Sequence, residues 1–373
     1  MMDATQVFCP NMECPARGQT GKGNIGVHSR KEKRYKCREC GKTFAETVGT
    51  PFYRLRTGME MVVLVVTLLA HGCPIRAIVA AFGLDERTVA DWQARGGKQC
   101  QRVQEVLVEQ PRELGQVQAD EIRVNTQGGV VWMALAMSVA TRLWIGGVVS
   151  EHRDLKLVTT LMERVKASAS ALAGAILFCT DGFAAYVTAI QTVFREAVPR
   201  SERGRCALVM WPNLLIAQVV KHSTQGQLTG IVRRIVQGRP EQVEAVRFQS
   251  QGDGVINTSF IERLNATFRA SLAALARRGR SLARSSSTLH SGMYLVGTLY
   301  NFCTDHDSLR LPGLVGGRKW LARTPAMAAG ITDHRWSVPE LLSYRIPPPT
   351  WTPPKKRGPV SKALQTTIRR WCL

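Results

Sequence analysis

The rhythm of apolar and polar positions changes three times along the chain. Residues 1–50 are polar and glycine-rich, with no sustained period. Residues 55–105 read as helical throughout. Within them the apolar run 61–70 is a buried helix, about half the length that a bilayer requires. From 114 to about 300, strand-like runs alternate with helical segments. The spans 116–124, 130–139 and 143–150 read as three sequential strands, 175–180 as a fourth and 205–211 as a short fifth. The span 154–168 reads as a helix with Leu157, Leu161 and Val165 on one face. In 258–276, Ile261, Leu264, Phe268, Leu272 and Leu275 form a core stripe, and Glu262, Asn265 and Arg269 fall on another face. Three sequential strands, a crossover helix and a further strand suit a mixed sheet with helices packed on it. Beyond 305 the chain is irregular and proline-rich, and PPPTWTPPKKRGP reads as an extended tail that either touches DNA phosphates or is simply solvated.

Charge adds a partner to this outline. Lys and Arg number 50 against 28 acids, a formal net charge of +22 spread along the whole chain. Several surfaces are therefore expected to meet a polyanion; a ribosomal or membrane-surface protein is the blander alternative. The opening MMDATQVFCP carries no secretory pattern, so the expected compartment is a reducing cytoplasm and no membrane partner is expected. Of the ten cysteines, four pair by spacing near the N-terminus and six are scattered, which favours metal ligands and reduced thiols over disulfides.

Cys9 and Cys14 are separated by four residues, Cys37 and Cys40 by two, and Gly41 relaxes the backbone after the second pair. Two such knuckles supply the four soft ligands that tetrahedral Zn²⁺ prefers. The segment has too few large apolar residues to fold alone, so metal would supply the missing stability. His28 is an alternative ligand. Arg34 and Lys36, among other basic residues between the pairs, are expected to lie on nucleic-acid phosphates. In the helical segment, Ile75, Ile78 and Val79 read as the inner face of one short helix, Gly83 as a sharp turn and Asp85 as the cap of the next. In this helix-turn-helix pattern the second helix would present Glu86, Arg87 and Gln93 or Arg95 to a major groove.

Three acids complete the candidate chemistry: Asp120 in QADEI, Asp181 in FCTDGFAAY and Glu262 in NTSFIERLNATFR. The aspartates belong to strand-like runs, and the glutamate sits in the first turn of a helix, where it can face them. Each has a plainer role: Ser259 and Glu262 fit a capping box, Asp181 before Gly182 fits a turn, and Asp120 could pair with an arginine. Glu121 is a rival ligand beside Asp120.

With CPNMEC, KCRECGKTF, YLVGTLYNFCTDHDSLR and RTPAMAAGITDHRWSVPELL, these stretches carry a resemblance over nearly the whole chain. It resembles bacterial insertion-sequence transposases of the DDE type that have an N-terminal zinc finger and helix-turn-helix. The resemblance implies a multidomain α/β protein: a zinc-binding module over 1–50, a helix-turn-helix domain over 51–110, a ribonuclease-H-like mixed sheet flanked by helices over 111–305, and a C-terminal extension and basic tail over 306–373. It implies that Asp120, Asp181 and Glu262 hold two Mg²⁺ or Mn²⁺ ions. One ion would activate water and later a DNA 3′-hydroxyl, and the other would stabilise the leaving oxygen. Asn265 and Arg269, the latter seven positions after Glu262, would be auxiliary DNA contacts. Such an enzyme nicks double-stranded DNA at its element's ends and joins the 3′ ends to target DNA, nucleoid-associated in a bacterial cytoplasm. Two ends imply at least a dimer on DNA. The alternatives are a nuclease or resolvase of the same fold, and a non-catalytic zinc and helix-turn-helix regulator derived from a transposase. Two features match less closely: 221–257 is longer than a compact ribonuclease-H core needs, and the tail beyond about 345 has no counterpart.

Overall fold

The computed structural model describes residues 3–199, 205–224, 227–276, 282–313, 319–353 and 362–371. It divides into two compact units, Met1–Gly49 with Arg345–Leu373, and Thr50–Tyr344. Helices and sheet thus share the second unit, where the sequence reading set a boundary near 110. The basic residues Lys355, Lys356 and Arg357 of the tail lie outside the described residues.

The smaller unit is built on a three-stranded antiparallel sheet of β1 (Ile25–Ser29), β2 (Arg34–Cys37) and β3 (Thr43–Ala45). Its core is small: Val7, Ile25, Tyr35 and Phe44, with Tyr35 and Phe44 stacked at 5.9 Å, gathered around the cysteines. Gly41 adopts a left-handed φ of +69°, closing the knuckle after Cys40.

The larger unit opens with α1 (Met59–Ala70), α2 (Ile75–Phe82) and α3 (Glu86–Val103). Gly83 takes a left-handed φ of +62° between α2 and α3, and Asp85 caps α3 by accepting the N–H groups of Arg87 and Thr88. Of the expected inner face of α2, Ile78 is buried, and Ile75 and Val79 are half-buried. Then follow β4 (Gln116–Thr126), β5 (Gly129–Ser138), β6 (Trp144–Ser150), α4 (Leu155–Ser168), β7 (Ile176–Thr180) and α5 (Ala184–Val193). A separate hairpin, β8 (Arg195–Val198) and β9 (Ala207–Met210), precedes β10 (Leu214–Thr224), β11 (Gln227–Gln237), α6 (Pro240–Gln251), α7 (Ser259–Ser271) and α8 (Ser286–Cys303).

One six-stranded mixed sheet organises this unit, in the order β11-β10-β7-β4-β5-β6. The three strands β4, β5 and β6 are antiparallel neighbours, β7 lies parallel to β4, β10 parallel to β7, and β11 antiparallel to β10. The fifth strand of the sheet is therefore β10. The expected strand over 205–211 instead forms the edge of the small β8–β9 hairpin. Residues 221–257, long for a compact core, hold the end of β10, β11 and α6. Strand alternation sorts the core. Val117, Ala119, Ile176, Phe178 and Ile216 face α4 and α5, while Leu177, Cys179, Leu215 and Ala217 face α6. On the other half of the sheet, Trp144 of β6 packs edge-on against Tyr294 of α8 and tilted against Phe268 of α7. Gly297 of α8 lies directly over the Trp144 ring. No helix among the described residues is long and apolar enough to cross a membrane.

Candidate functional site

Sheet register brings the two aspartates together. Gln118 of β4 stands beside Cys179 of β7, and the two strands run parallel. Two residues further on are Asp120, within β4, and Asp181, just past the end of β7, whose side chains emerge on the face that carries α6 and α7. Glu262, in the first turn of α7, lines the same cleft of about 450 Å³ with Thr258 and Lys221. The capping box that Ser259 and Glu262 could form is not made: the N-cap is Thr258, which makes no side-chain cap, and the sheet supplies acceptors instead. Gln118, fully buried, accepts the N–H groups of Phe260 and Ile261 at 3.1 and 3.0 Å and donates to the Asn257 carbonyl at 2.7 Å. Since Gln118 and Asp120 share one face of β4, the residue that anchors the helix start also fixes Glu262 relative to Asp120.

Each carboxylate is held. Asp120 accepts the Glu121 N–H and the Asn265 amide, both at 2.8 Å. Asp181 accepts the Phe183 N–H at 3.0 Å and lies 3.4 Å from the Arg153 guanidinium. Glu262 takes the Thr258 hydroxyl at 2.8 Å and pairs with the Lys221 ammonium. Burial, joined by the charges of Glu121, Asp181 and Glu262, pushes the Asp120 carboxyl up to about 6 against the Glu121 N–H that opposes it. Carboxylates that raise one another's pKa in this way favour a bound cation.

Glu121 enters this group although its neighbour in the strand points the other way. The oxygens of Asp120, Glu121 and Asp181 all lie within 4.8 Å of one another. That closest trio has Glu121 where the sequence reading had Glu262; Glu262 remains on the cleft wall, engaged with Lys221. The Glu121 side chain is 1% exposed and meets Arg153 at 3.0 Å. Its Oε1 sits beside the buried Tyr186 hydroxyl, and both atoms are shut away from solvent. Burial raises the Glu121 pKa, and Arg153 opposes the shift. Arg153 in turn is braced over the rings of Phe183 and Trp132, 4.3 and 5.3 Å from their centroids. Three hard oxygen donors this close together suit a divalent cation such as Mg²⁺ or Mn²⁺, so Asp120, Glu121 and Asp181 could hold one.

The four cysteines converge in the smaller unit. Cys9 and Cys40 have their sulfurs 3.7 Å apart, as do Cys14 and Cys37, and all four lie within 4.8 Å. Tetrahedral thiolates about 2.3 Å from zinc stand about 3.8 Å from each other, so the set fits that metal. Burial opposes the Cys40 thiolate, yet the Lys42 N–H, Asn11 and the neighbouring thiols bring its pKa down to about 7. His28 is exposed and lies outside this group.

The expected DNA contacts fall into two sets. Arg87 and Lys36 are exposed, Arg269 is half-buried, and Arg34 donates to the Thr43 hydroxyl at 2.8 Å. Arg95 is tied to Asp91 at 2.7 Å and to the Tyr53 carbonyl at 3.0 Å, and Gln93 is buried under α8. Asn265 is 1% exposed, and its amide is spent on Asp120, so it orients a carboxylate where the sequence reading had it touching DNA. Arg153, Lys221 and Gln118 carry much of the site's geometry and were not anticipated. Only the run of buried-strand polar residues Gln116, Gln118 and Asp120 signalled a polar face on β4. No protein-family model matches the chain, and no curated protein matches it significantly.

Proposed function

We propose that the chain is a DNA transposase that nicks the ends of a mobile element and joins the 3′ ends to target DNA by metal-dependent phosphoryl transfer. The observation that carries this reading is the convergence of Asp120, Asp181 and Glu262, from β4, β7 and α7, on one cleft. The strand order supports a ribonuclease-H-like domain: three antiparallel strands, then two parallel ones, with the first acid in the first strand and the second just past the fourth. Divalent cations bound there would supply a nucleophile at neutral pH and stabilise charge on the attacked phosphate. Asp120, Asp181 and Glu262 would hold them, with Glu121 as a further oxygen donor and Asn265 orienting Asp120. Arg153 and Lys221 offer cationic donors to the phosphates on either side. The α2–Gly83–α3 turn supports a helix-turn-helix with Arg87 at the groove, and the four-cysteine unit with Lys36 supports a second contact with the backbone.

One observation favours a second reading, a non-catalytic DNA-binding regulator derived from such an enzyme. Arg153 and Lys221 already neutralise Glu121, Asp181 and Glu262. The deciding experiment mixes the zinc-loaded protein with labelled duplex from the borders of its own gene, with and without Mg²⁺ or Mn²⁺. Metal-dependent nicking that Asp181→Ala abolishes is the expected result. Border binding without nicking, unchanged in Asp181→Ala, would overturn the transposase reading in favour of the regulator.

A further inference from the structure

The outer strand β11 is built against the usual practice for a sheet edge. Natural edge strands are short, charged or covered. This one spans 11 residues and pairs only with β10 among the described residues. Its aliphatic side chains are open to solvent on both faces: Leu228 at 59%, Val232 at 48% and Ile231 at 40% exposure. Its two charges are held close to the strand. Arg233 donates to the Ile256 carbonyl at 2.8 Å, and Arg234 to Gln218 at 2.6 and 3.0 Å, so both guanidinium groups turn back onto their own chain. The opposite edge, β6, is by contrast covered by buried Trp144 and Ile145.

We propose that β11 is the contact between two copies of this chain, paired edge to edge and antiparallel about Val232. The strand itself selects the second copy and the register. Bulges at Thr229 and Val236 bracket a regular stretch over 230–235. Side chains opposite one another in an antiparallel pair share a face, so a two-fold axis through the pair must pass a residue that faces itself. Within the regular stretch the central choices are Val232 and Arg233. An axis at Arg233 would set guanidinium against guanidinium. An axis at Val232 sets Val232 against its twin, Ile231 against Arg233 and Gly230 against Arg234. The arginine stems then lie over an isoleucine and over a residue with no Cβ, and no like charges stand directly opposite one another. The same register overlays the strand end to end, with Gln227 opposite Gln237.

The pairing also makes geometric sense for the sheet. It joins two six-stranded sheets into one, with both carboxylate clefts opening on the same face. From β7 to its twin is five strand spacings, about 24 Å at ~4.8 Å each. Two sites so placed would serve a reaction on two DNA ends, although the dimer itself does not depend on the transposase reading.

The test uses the full zinc-loaded chain without DNA, at high salt to screen its charge, by light scattering after size exclusion. The expected mass is twice the 41.2 kDa of one chain, falling to one chain in Val232→Lys. Val232→Cys should give a disulfide-linked dimer under mild oxidation, beyond any formed by the parent or by Leu172→Cys at a remote exposed position. This second readout stands even if Val232→Lys folds poorly. A parent of single-chain mass with no cross-link at Val232→Cys overturns the proposal, and so does a dimer that survives Val232→Lys. Neither result bears on whether Asp181→Ala abolishes nicking.

Discussion

Replacing Gln118 by Leu should loosen α7 and the candidate site together. Gln118 is fully buried and makes three good hydrogen bonds: two accepted from Phe260 and Ile261, one donated to Asn257. Each contributes about 1 kcal/mol net, so their loss alone removes about 3 kcal/mol. Ile261 is buried, and its orphaned N–H cannot turn to water, which adds roughly 1–3 kcal/mol. The added apolar contact of Leu offsets part of this. The expected loss is therefore about 3–5 kcal/mol, a large share of a typical folding free energy. Urea denaturation reads the global change. Hydrogen exchange at the Phe260 and Ile261 amides reads the local one, and Mn²⁺ titration reads whether Glu262 still reaches the cleft. A stability loss under about 1 kcal/mol, with Ile261 still protected, would refute the claim that the sheet caps this helix.

Three further outcomes follow from the same geometry. Cys14→Ser should reduce bound zinc from about one equivalent per chain to near zero and unfold Met1–Gly49, read by zinc release and by proteolysis of that segment; a variant that keeps its zinc would sink the four-thiol assignment. Gly297→Ala would drive a methyl into the Trp144 ring, and overpacking of this kind costs about 1–3 kcal/mol, visible as a lower midpoint of thermal unfolding; an unchanged midpoint counts against the close packing described. Because the Asp120 carboxyl is raised to about 6, its proton must leave for a cation to bind: Mn²⁺ affinity should be flat above that pH and fall up to about tenfold per unit below it. The same shift means that the metal-free fold loses stability as pH climbs from the ordinary 3.8 through about 6. Calorimetry at pH 5 and 7 checks the affinity, and equal values would contradict the raised carboxyl.

Much of the sheet was readable because its chemistry is local. β4, β5, β6, α4 and β7 all appear where their apolar patterns put them, since strand alternation and a helical stripe are properties of neighbouring residues. The fifth strand was misplaced for a physical reason. The apolar run at 207–210 and the one beginning at Leu214 look alike, and only the parallel register with β7 decides which joins the sheet. Buried Gln218 also hides β10, because its polarity is satisfied by Arg234 of β11, a partner 16 residues away. The same limit applies at the site. Glu121 stood as a rival to Asp120, since the two leave β4 on opposite faces, yet both join the group. Asp181 lies just past the end of β7, where both side chains reach it around the rim. Asn265 sits on the polar face of α7 by spacing, and nothing in the sequence says that Asp120 waits there as its acceptor.

The charges in the cleft fit together only as a group. Asp120 with raised pKa, deeply buried Glu121, Asp181 and Glu262 would repel one another strongly if all were ionised with no cation near. The chain meets this with two cations of different kinds. Arg153 enters from the loop before α4, wedged between Phe183 and Trp132, and its planar fork spans Glu121 and Asp181 at once. Lys221 comes from the far end of β10 on a flexible stem and holds Glu262 alone, with both partners nearly half exposed. An exposed pair of this kind contributes little stability, and its ammonium can leave at small cost. The Arg153–Glu121 pair cannot be broken as cheaply, because Glu121, with its side chain 1% exposed, would be left desolvated and uncompensated. Entry of a divalent cation beside Asp120 and Asp181 therefore favours release of Lys221 and Glu262 first, with Arg153 kept as a fixed positive wall. The sequence marked the acids; which of the paired ones is free to move is decided by how deeply the acid itself is buried, Glu121 at 1% exposure against Glu262 at 46%.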